Sequence, residues 1–505
     1  MKKLKNIHIV IIIAGIIFNS ISIFHPNLWF DEAYSVGLAN KSFADIWTIG
    51  GNDVHPILYY YVLHIIYLVL NGLGVGLNGI IIGYRVFSAF CISMLGILGF
   101  SHIRKDFGEK TGALFSFFSY FMPVICIYTA EVRMYSLAIL VVTILAIYAY
   151  RLAKNGSEAK IKDWAIFGIS SLMCIYTHYY GLMAAGIINC ILLFYLIKEK
   201  RKKDIITIIA LGIIQAIAYV PWIMCFITQL KNVSKGFWIG FEFPKTIFQL
   251  FGTQFSGNLK DIIGFIFVIA LYIYIIFKIF YSKRIKKTKS NEDEKKNDIY
   301  AIISIAIYFA VILAAVIITA VMKTSILYYR YLFVITGLFI FFISYYLSKE
   351  NNKYFVLTIC IITLVLAGVS NYKQIKDAYE ENNMTQISYL NENVKQDDVI
   401  VINETELGTG TVIALNYTNN KQIYYNPSNW GVEAAYRAFG EQFSVCTNLD
   451  FLNECNGRIW VIDNENSDYY NKQFNNQDYQ LISSKMIKTG YKGYVYNMIL
   501  VEKVN

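Results

Sequence analysis

Long apolar runs constrain this chain more than any other feature. They start at residues 7–24 and recur at roughly 79–101, 111–129, 134–150, 164–180, 182–197, 205–227, 261–281, 299–321, 331–347 and 354–370. Each approaches the ~20 residues that a helix needs to cross a bilayer. A segment surrounded by lipid must satisfy its own backbone hydrogen bonds, and a helix does so. About eleven crossings follow. Composition agrees, with 56% hydrophobic and only 16% charged residues in 505, where soluble domains carry about 25% charge. Mean hydropathy is +0.45. Disordered, fibrous and disulfide-scaffold architectures are excluded. The expected fold class is mainly α, a polytopic membrane protein of about 11 or more transmembrane helices, with a small C-terminal α/β domain.

Charge sets the expected topology. Basic clusters lie at Arg104-Lys105, Arg151 through Lys162, Lys198 through Lys203, Lys283 through Lys289 and Lys349 through Lys353. All five fall on the cytoplasmic side if the runs cross alternately from an uncleaved, lysine-led N-terminal helix. Residues 371–505 hold 11 of the 45 Lys and Arg and 17 of the 35 Asp and Glu, a net of −6 against +16 for the remainder. That split puts the acidic tail outside, and the overall +10 gives no reason to invoke nucleic acid. The aromatic stretch 56–71 (PILYYYVLHIIYLVLN) would invert every later cluster if it crossed. It reads as an interfacial or partly inserted helix, or as one member of a pair. The bias toward Ile, Lys, Asn and Tyr suggests a bacterial plasma membrane.

Two domains are expected, a membrane module over 1–370 and an extracytoplasmic domain over 371–505. The segment 282–298 (SKRIKKTKSNEDEKKND) reads as a solvated linker. In the tail, VIVIN (399–403), QIYYN (422–426), RIWVID (458–463) and YVYNMILVE (494–502) read as strands, with helices at 373–394, around 410–418 and around 431–438. Cys446 and Cys455 could form a disulfide or remain thiols. Asn232, Asn383, Asn403 and Asn416 fit N-x-S/T, a pattern that an Asn-rich chain produces by chance.

The chemistry points to the first exterior loop, 25–55, where Asp31 and Glu32 follow Leu28-Trp29-Phe30. Carboxylates near hydrocarbon are costly unless paired or useful. The plain reading is that they favour the start of the following helix. Other exterior turns carry Glu131, Arg133 and Tyr135 (TAEVRMY), His178, Tyr179 and Tyr180 (THYYG), and Arg330 (LYYRY). Arg85 lies six residues into its span, roughly 9 Å deep at 1.5 Å per residue. Ion pairing with Glu131, or snorkelling to headgroups, would account for any one arginine. Several cations and tyrosines on the same side as an acidic loop favour a shared polar cavity.

A sugar carried on a lipid phosphate matches that inventory. The phosphate is a good leaving group that cations stabilise as its charge develops, and the acceptor needs a carboxylate base. The sequence holds no G-x-x-x-x-G-K-S/T nucleotide cradle.

LWFDEAYS, followed by DVHPILYY, resembles the first-loop signature of the GT-C glycosyltransferases of the protein O-mannosyltransferase and aminoarabinose transferase type, the family 39-like group. Ile57 stands where that group has a second Pro after His55-Pro56. Arg85 after Gly83-Tyr84, AEVRMYSL and YYRYLFVI resemble the group's arginine positions, and the likeness covers about residues 1–345. It implies an inverting transferase using a polyprenyl-phosphate monosaccharide, with Asp31 as the essential acid and Glu32 as its partner. Arg85, Arg133, Arg330 and His55 would then bind donor phosphate, and Glu131, Tyr135, His178 and Tyr179 would line the cavity. A divalent metal is possible. A flippase for lipid-linked saccharide, or a non-catalytic envelope assembly protein, is the alternative.

Overall fold

The computed structural model describes all residues except 1, 157–159, 236, 258–259, 286–291, 381–383, 404–406, 428–435, 454, 456, 466–467, 476–477, 489–494 and 505. All eleven apolar runs are helical. Among the described residues, eight helices are long and apolar enough to cross a membrane, or nine if Glu109–Phe121 and Pro123–Thr129 form one span bent by 58°. The N-terminal helix Lys2–Ser20, of 19 residues, and Ile161–Thr177, of 17, make up the difference from the expected eleven and lie near the lower end of the length that spans a bilayer. The chain is a multi-pass membrane protein.

Two compact units emerge, Met1–Phe24 with Arg85–Gln374, and His25–Tyr84 with Ile375–Asn505. This division differs from the expected one at 370/371 in two respects: residues 25–84 group with the tail, and the boundary falls at 374/375.

Within the membrane unit, burial separates central from peripheral helices. The span Tyr329–Ser348 is 94% buried and Tyr135–Lys154 78%, whereas Lys202–Lys235 is 17% buried. Ile206, Ile209, Ile213 and Ile217 are exposed on that outer helix, as lipid-facing apolar residues should be. Among the described residues, side chains of four basic clusters meet partners at one end of the bundle. Arg151 bonds Asp106 at 2.8 Å, and Arg201 donates to the carbonyls of Leu152 and Gly156, both at 2.9 Å. Lys349 pairs with Glu294 at 3.3 Å and also with Asp298. The expected solvated linker is thus helical from Glu292 onward, because Glu294 and Asp298 find a basic partner there. Residues 286–289 of the basic cluster at 283–289 lie outside the described residues.

In the second unit, a six-stranded sheet has the order β3-β2-β1-β4-β6-β5. Its strands are β1 (Val399–Ile402), β2 (Gln422–Tyr425), β3 (Phe443–Cys446), β4 (Arg458–Asp463), β5 (Tyr479–Lys488) and β6 (Val495–Lys503). The first four pair in parallel, and β6 is antiparallel to β4 and β5. The four expected strands are β1, β2, β4 and β6. The two others are the edges, where one face at most is buried and the apolar signal fades. β5 is mostly exposed and bulged between Leu481 and Ser483.

The carboxylate of Asp398 ties β4 to the turn before β1, accepting from Lys395 N–H, Arg458 Nη2 and Trp460 Nε1 at 2.9–3.0 Å. The expected helix at 373–394 appears as Lys353–Glu380 and Met384–Asn393, and the one at 410–418 as Leu407–Asn416. Most of the expected helix at 431–438 lies outside the described residues, and Arg437–Phe439 is a single 3-10 turn.

The segment 25–84 owes its place to short contacts. Asn27 Nδ2 donates to Ala378 O at 2.9 Å, and Tyr34 meets Phe439 edge-on with ring centroids 6.1 Å apart. On the helix Phe30–Ala39, a Cβ added at Gly37 would stand 2.7 Å from Ala438 O, so only glycine permits this approach. The apolar stretch 56–71 forms Leu58–Gly72, 15 residues and about 22 Å at 1.5 Å per residue. That is too short for a ~30 Å core. One of its faces packs through Tyr60 on Tyr34, and Ile65, Leu68 and Val69 are exposed, as in an interfacial helix.

Gly37→Val should destabilise the second unit by about 1–3 kcal/mol through overpacking, read by limited proteolysis, while Gly186→Ala, with nothing within 4 Å, should not. Equal protease resistance of the two variants would refute the close approach. Glu350 gives a pH test. Burial alone would raise its pKa, but bonds from Asn352 N–H, Lys278 and Tyr274 outweigh it and hold the carboxyl near 2. A carboxyl depressed on folding contributes stability above its unfolded value of about 4.3 and loses it as pH falls toward 2. The melting temperature of the wild type should exceed that of Glu350→Gln at pH 6, with the gap closing between about pH 4.5 and 2. A gap independent of pH would contradict this assignment.

Candidate active site

The membrane unit builds its polar site around a helix break. Pro123 occupies the first position of Pro123–Thr129, where a missing N–H costs nothing, and the chain runs as a non-helical connector through 130–134 before Tyr135–Asn155 begins. A helix end leaves carbonyls without intrahelical donors, and buried carbonyls must find partners. Side chains supply them. Ser136 Oγ donates to Tyr128 O at 2.7 Å, Arg85 Nη1 to Ala130 O at 2.5 Å, and Ser88 Oγ to Glu131 O at 2.8 Å. Arg85 and Ser88 are three apart, hence on the same face of their helix. The guanidinium also places positive charge at a helix C-terminus, where the dipole favours it.

Several of the expected residues converge here. Arg85, Glu131, Arg133, Tyr135 and His178 are each at most 6% exposed, so their charges and dipoles act in a poorly screened setting. The Tyr135 ring lies 5.8 Å from His178 and 5.2 Å from Tyr128. Tyr331 packs 5.1 Å from His178, and the Arg330 guanidinium stands 5.5 Å from the Tyr328 ring. Arg330 and Glu131 act electrostatically on Tyr128, and Arg133 on His178. His178 accepts the Tyr180 N–H at Nδ1, 3.1 Å away, which leaves Nε2 as the protonated nitrogen of its neutral form. Tyr179 points elsewhere, donating to Gln229 and accepting from Trp222 Nε1 at 3.4 Å. It belongs to the wall between Tyr179–Lys198 and the helices after Lys202. Ser88, Tyr128 and Tyr331 were not singled out from the sequence. The i,i+3 spacing of Arg85 and Ser88 is the signal that could have found Ser88.

Asp31, Glu32 and His55 belong to the second unit. Phe30–Ala39 starts without a side-chain cap on Trp29, and Asp31 and Glu32 occupy its second and third positions. They are not equivalent. Glu32 is fully buried whereas Asp31 is partly exposed. His55 is 4% exposed, just before the helix that carries Tyr60, whose hydroxyl donates to Asp53 at 3.3 Å. Among the described residues, no group of three or more His, Cys, Asp or Glu is placed to hold a metal ion.

The whole chain matches a solved structure. The crystal structure of ArnT from Cupriavidus metallidurans bound to undecaprenyl phosphate superposes with a TM-score of 0.53 over 98% of this chain and 97% of that one, at 10% identity. The two chains share one fold. The apo crystal structure of the same protein gives a TM-score of 0.47 at 11% identity, with the same coverage. No family model and no curated protein sequence matches the chain. At 10% identity the agreement is one of architecture, and it includes the second unit as well as the bundle.

Removing the Arg85 guanidinium should expose the cost of the helix break. Arg85→Leu leaves the Ala130 carbonyl without this donor and should lower stability by about 1–3 kcal/mol, while Arg85→Lys keeps a cationic donor and should lose less. Thermal unfolding in nanodiscs measures both, and equal stability of the two variants would show that the contact is dispensable.

Proposed function

We propose that this chain is a membrane glycosyltransferase that moves a hexosyl or pentosyl unit from a polyprenyl-phosphate donor to an extracytoplasmic acceptor. The acceptor would be a cell-envelope glycan, lipid or protein, and the membrane a bacterial plasma membrane with the N-terminus inside and the tail outside. One observation carries the reading. Arg85, Arg133 and Arg330 gather with Glu131, Tyr135 and His178 at a buried helix break, in a fold shared with an ArnT that was crystallised with undecaprenyl phosphate.

The arginines hold the donor phosphate by charge-assisted hydrogen bonds. The acceptor hydroxyl or amine attacks the anomeric carbon from the opposite face as the bond from that carbon to the phosphate oxygen breaks. The anomeric configuration inverts, and polyprenyl phosphate leaves with the bonding electron pair. Negative charge grows on the leaving phosphate, so cations fixed beforehand stabilise the transition state more than the ground state. The acceptor's proton passes to Asp31, the accessible member of the first-loop pair, in the role that the first-loop resemblance implies. Glu32 then positions its neighbour from within the core, and His55 adds a polar contact to the donor.

In a strain lacking the gene, one envelope sugar should disappear and wild-type protein should restore it. Asp31→Asn, inserted at normal levels, should reduce transfer by at least about 100-fold, the scale of a lost general base. Arg133→Ala and Arg330→Ala should each weaken undecaprenyl phosphate binding about tenfold. Full restoration by Asp31→Asn would refute the assignment. Transfer frees polyprenyl phosphate and flipping does not, so an intact lipid-linked sugar after turnover would favour the flippase.

A further inference from the structure

Beside this site the membrane unit holds a second concavity with a different chemistry. A cleft of about 280 Å³ is lined by Trp238, Glu242, Lys245, Gln249, Tyr328 and Tyr329, among others. Its walls come from the segment after Ile223–Lys235, from the start of Lys245–Ser256, and from the approach to Tyr329–Leu332. In the alternation read from the sequence, all three lie on the exterior side.

The charge in the cleft cancels. Lys245 Nζ lies 2.9 Å from Glu242 Oε2, three residues along the chain, so no net cation remains among the lining residues to favour a phosphate. What remains is polar but neutral. A flat aromatic face, the Trp238 indole, is 59% exposed. It is held edge-on by the Tyr328 ring, with centroids 5.0 Å apart and planes at 80°. Around it stand a carboxylate acceptor, an amide with donor and acceptor ends, and phenolic hydroxyls. The turn carrying Glu242 is fixed, since Glu242 N–H donates to Thr246 Oγ1 at 2.9 Å and Thr246 N–H returns to Glu242 O at 2.7 Å.

A pyranose or furanose ring complements such a surface, with an apolar C–H face and a rim of hydroxyls that both donate and accept. Size argues in the same direction. Pockets for drug-sized ligands span roughly 300–1,000 Å³, so this cleft admits one sugar ring and excludes a polyprenyl chain. Tyr328 links it to the candidate phosphate site, because the same ring lies 5.5 Å from the Arg330 guanidinium.

We infer that the cleft between Trp238, Glu242, Gln249 and Tyr328 is a subsite for a neutral sugar ring, with the indole as platform and Glu242 and Gln249 reading hydroxyls. The inference deepens the transferase reading and rests on it for the meaning of the sugar, which belongs to either the donor or the acceptor.

The full-length protein in nanodiscs, labelled with 5-fluorotryptophan, provides the test, with the Trp238 resonance assigned by its loss in Trp238→Phe. Neutral methyl hexosides and pentosides should include at least one that shifts this resonance saturably, and inorganic phosphate should not shift it. Glu242→Ala and Gln249→Ala, which remove surface groups, should each weaken that response about tenfold. A short-chain citronellyl phosphate hexose that competes with the methyl glycoside assigns the subsite to the donor sugar, and one that binds alongside it assigns the subsite to the acceptor. The proposal is overturned if no saccharide moves the resonance up to ~100 mM, a concentration that exposes even very weak binding. It is equally overturned if the shift keeps its affinity in both variants. Loss of the saccharide response with an inactive Asp31→Asn removes the subsite and leaves the transferase. A fully active Asp31→Asn removes the transferase instead.

Discussion

The membrane unit depends on how a broken helix is satisfied away from water. An interrupted helix in a bilayer would strand carbonyl groups at a cost of several kcal/mol each. The break after Thr129 is tolerated because Ser136, Arg85 and Ser88 donate to Tyr128, Ala130 and Glu131. Arg85 is therefore a structural donor at the break, and its guanidinium is held there by the Ala130 carbonyl. The same desolvation that makes a buried guanidinium expensive strengthens its interaction with any phosphate that arrives.

A second constraint lies in the other unit. The first loop could have been a solvated connection. It is instead a folded piece, with a glycine shaped to the backbone at Ala438, a carboxylate sealed inside at Glu32 and a partly open one at Asp31. A side chain on a short helix whose far face is packed has little conformational freedom left. The tail then has a physical task, since Ala378 and Phe439 are among the residues that the loop rests on.

Legibility followed the physics of each signal. The spans were readable because an apolar run of bilayer length has few other uses, and the central strands because parallel strands buried on both faces read as unbroken apolar runs. The edge strands β3 and β5 were not, since an edge needs no apolar alternation. The arginines and tyrosines at 85, 131–135, 178 and 330 could be named as polar residues in apolar company, and the bundle brings them together. Tyr179 carried the same signal, yet a single helical turn directs its hydroxyl to Gln229 and Trp222. The linker at 282–298 failed for a related reason. Its charges looked solvated until Lys349, about fifty residues later, supplied a partner.

The sequence by itself determined a multi-pass helical membrane protein with a small α/β domain, and the residue types available to its chemistry. Hydrophobicity and charge are properties of each segment, and a bilayer reads them segment by segment. Only the tertiary structure decided that Glu32 is sealed inside while Asp31 stays partly exposed. It alone set residues 25–84 with the tail and Trp238 against Tyr328. Those outcomes depend on contacts between residues tens to hundreds of positions apart, and periodicity along the chain carries no record of such contacts.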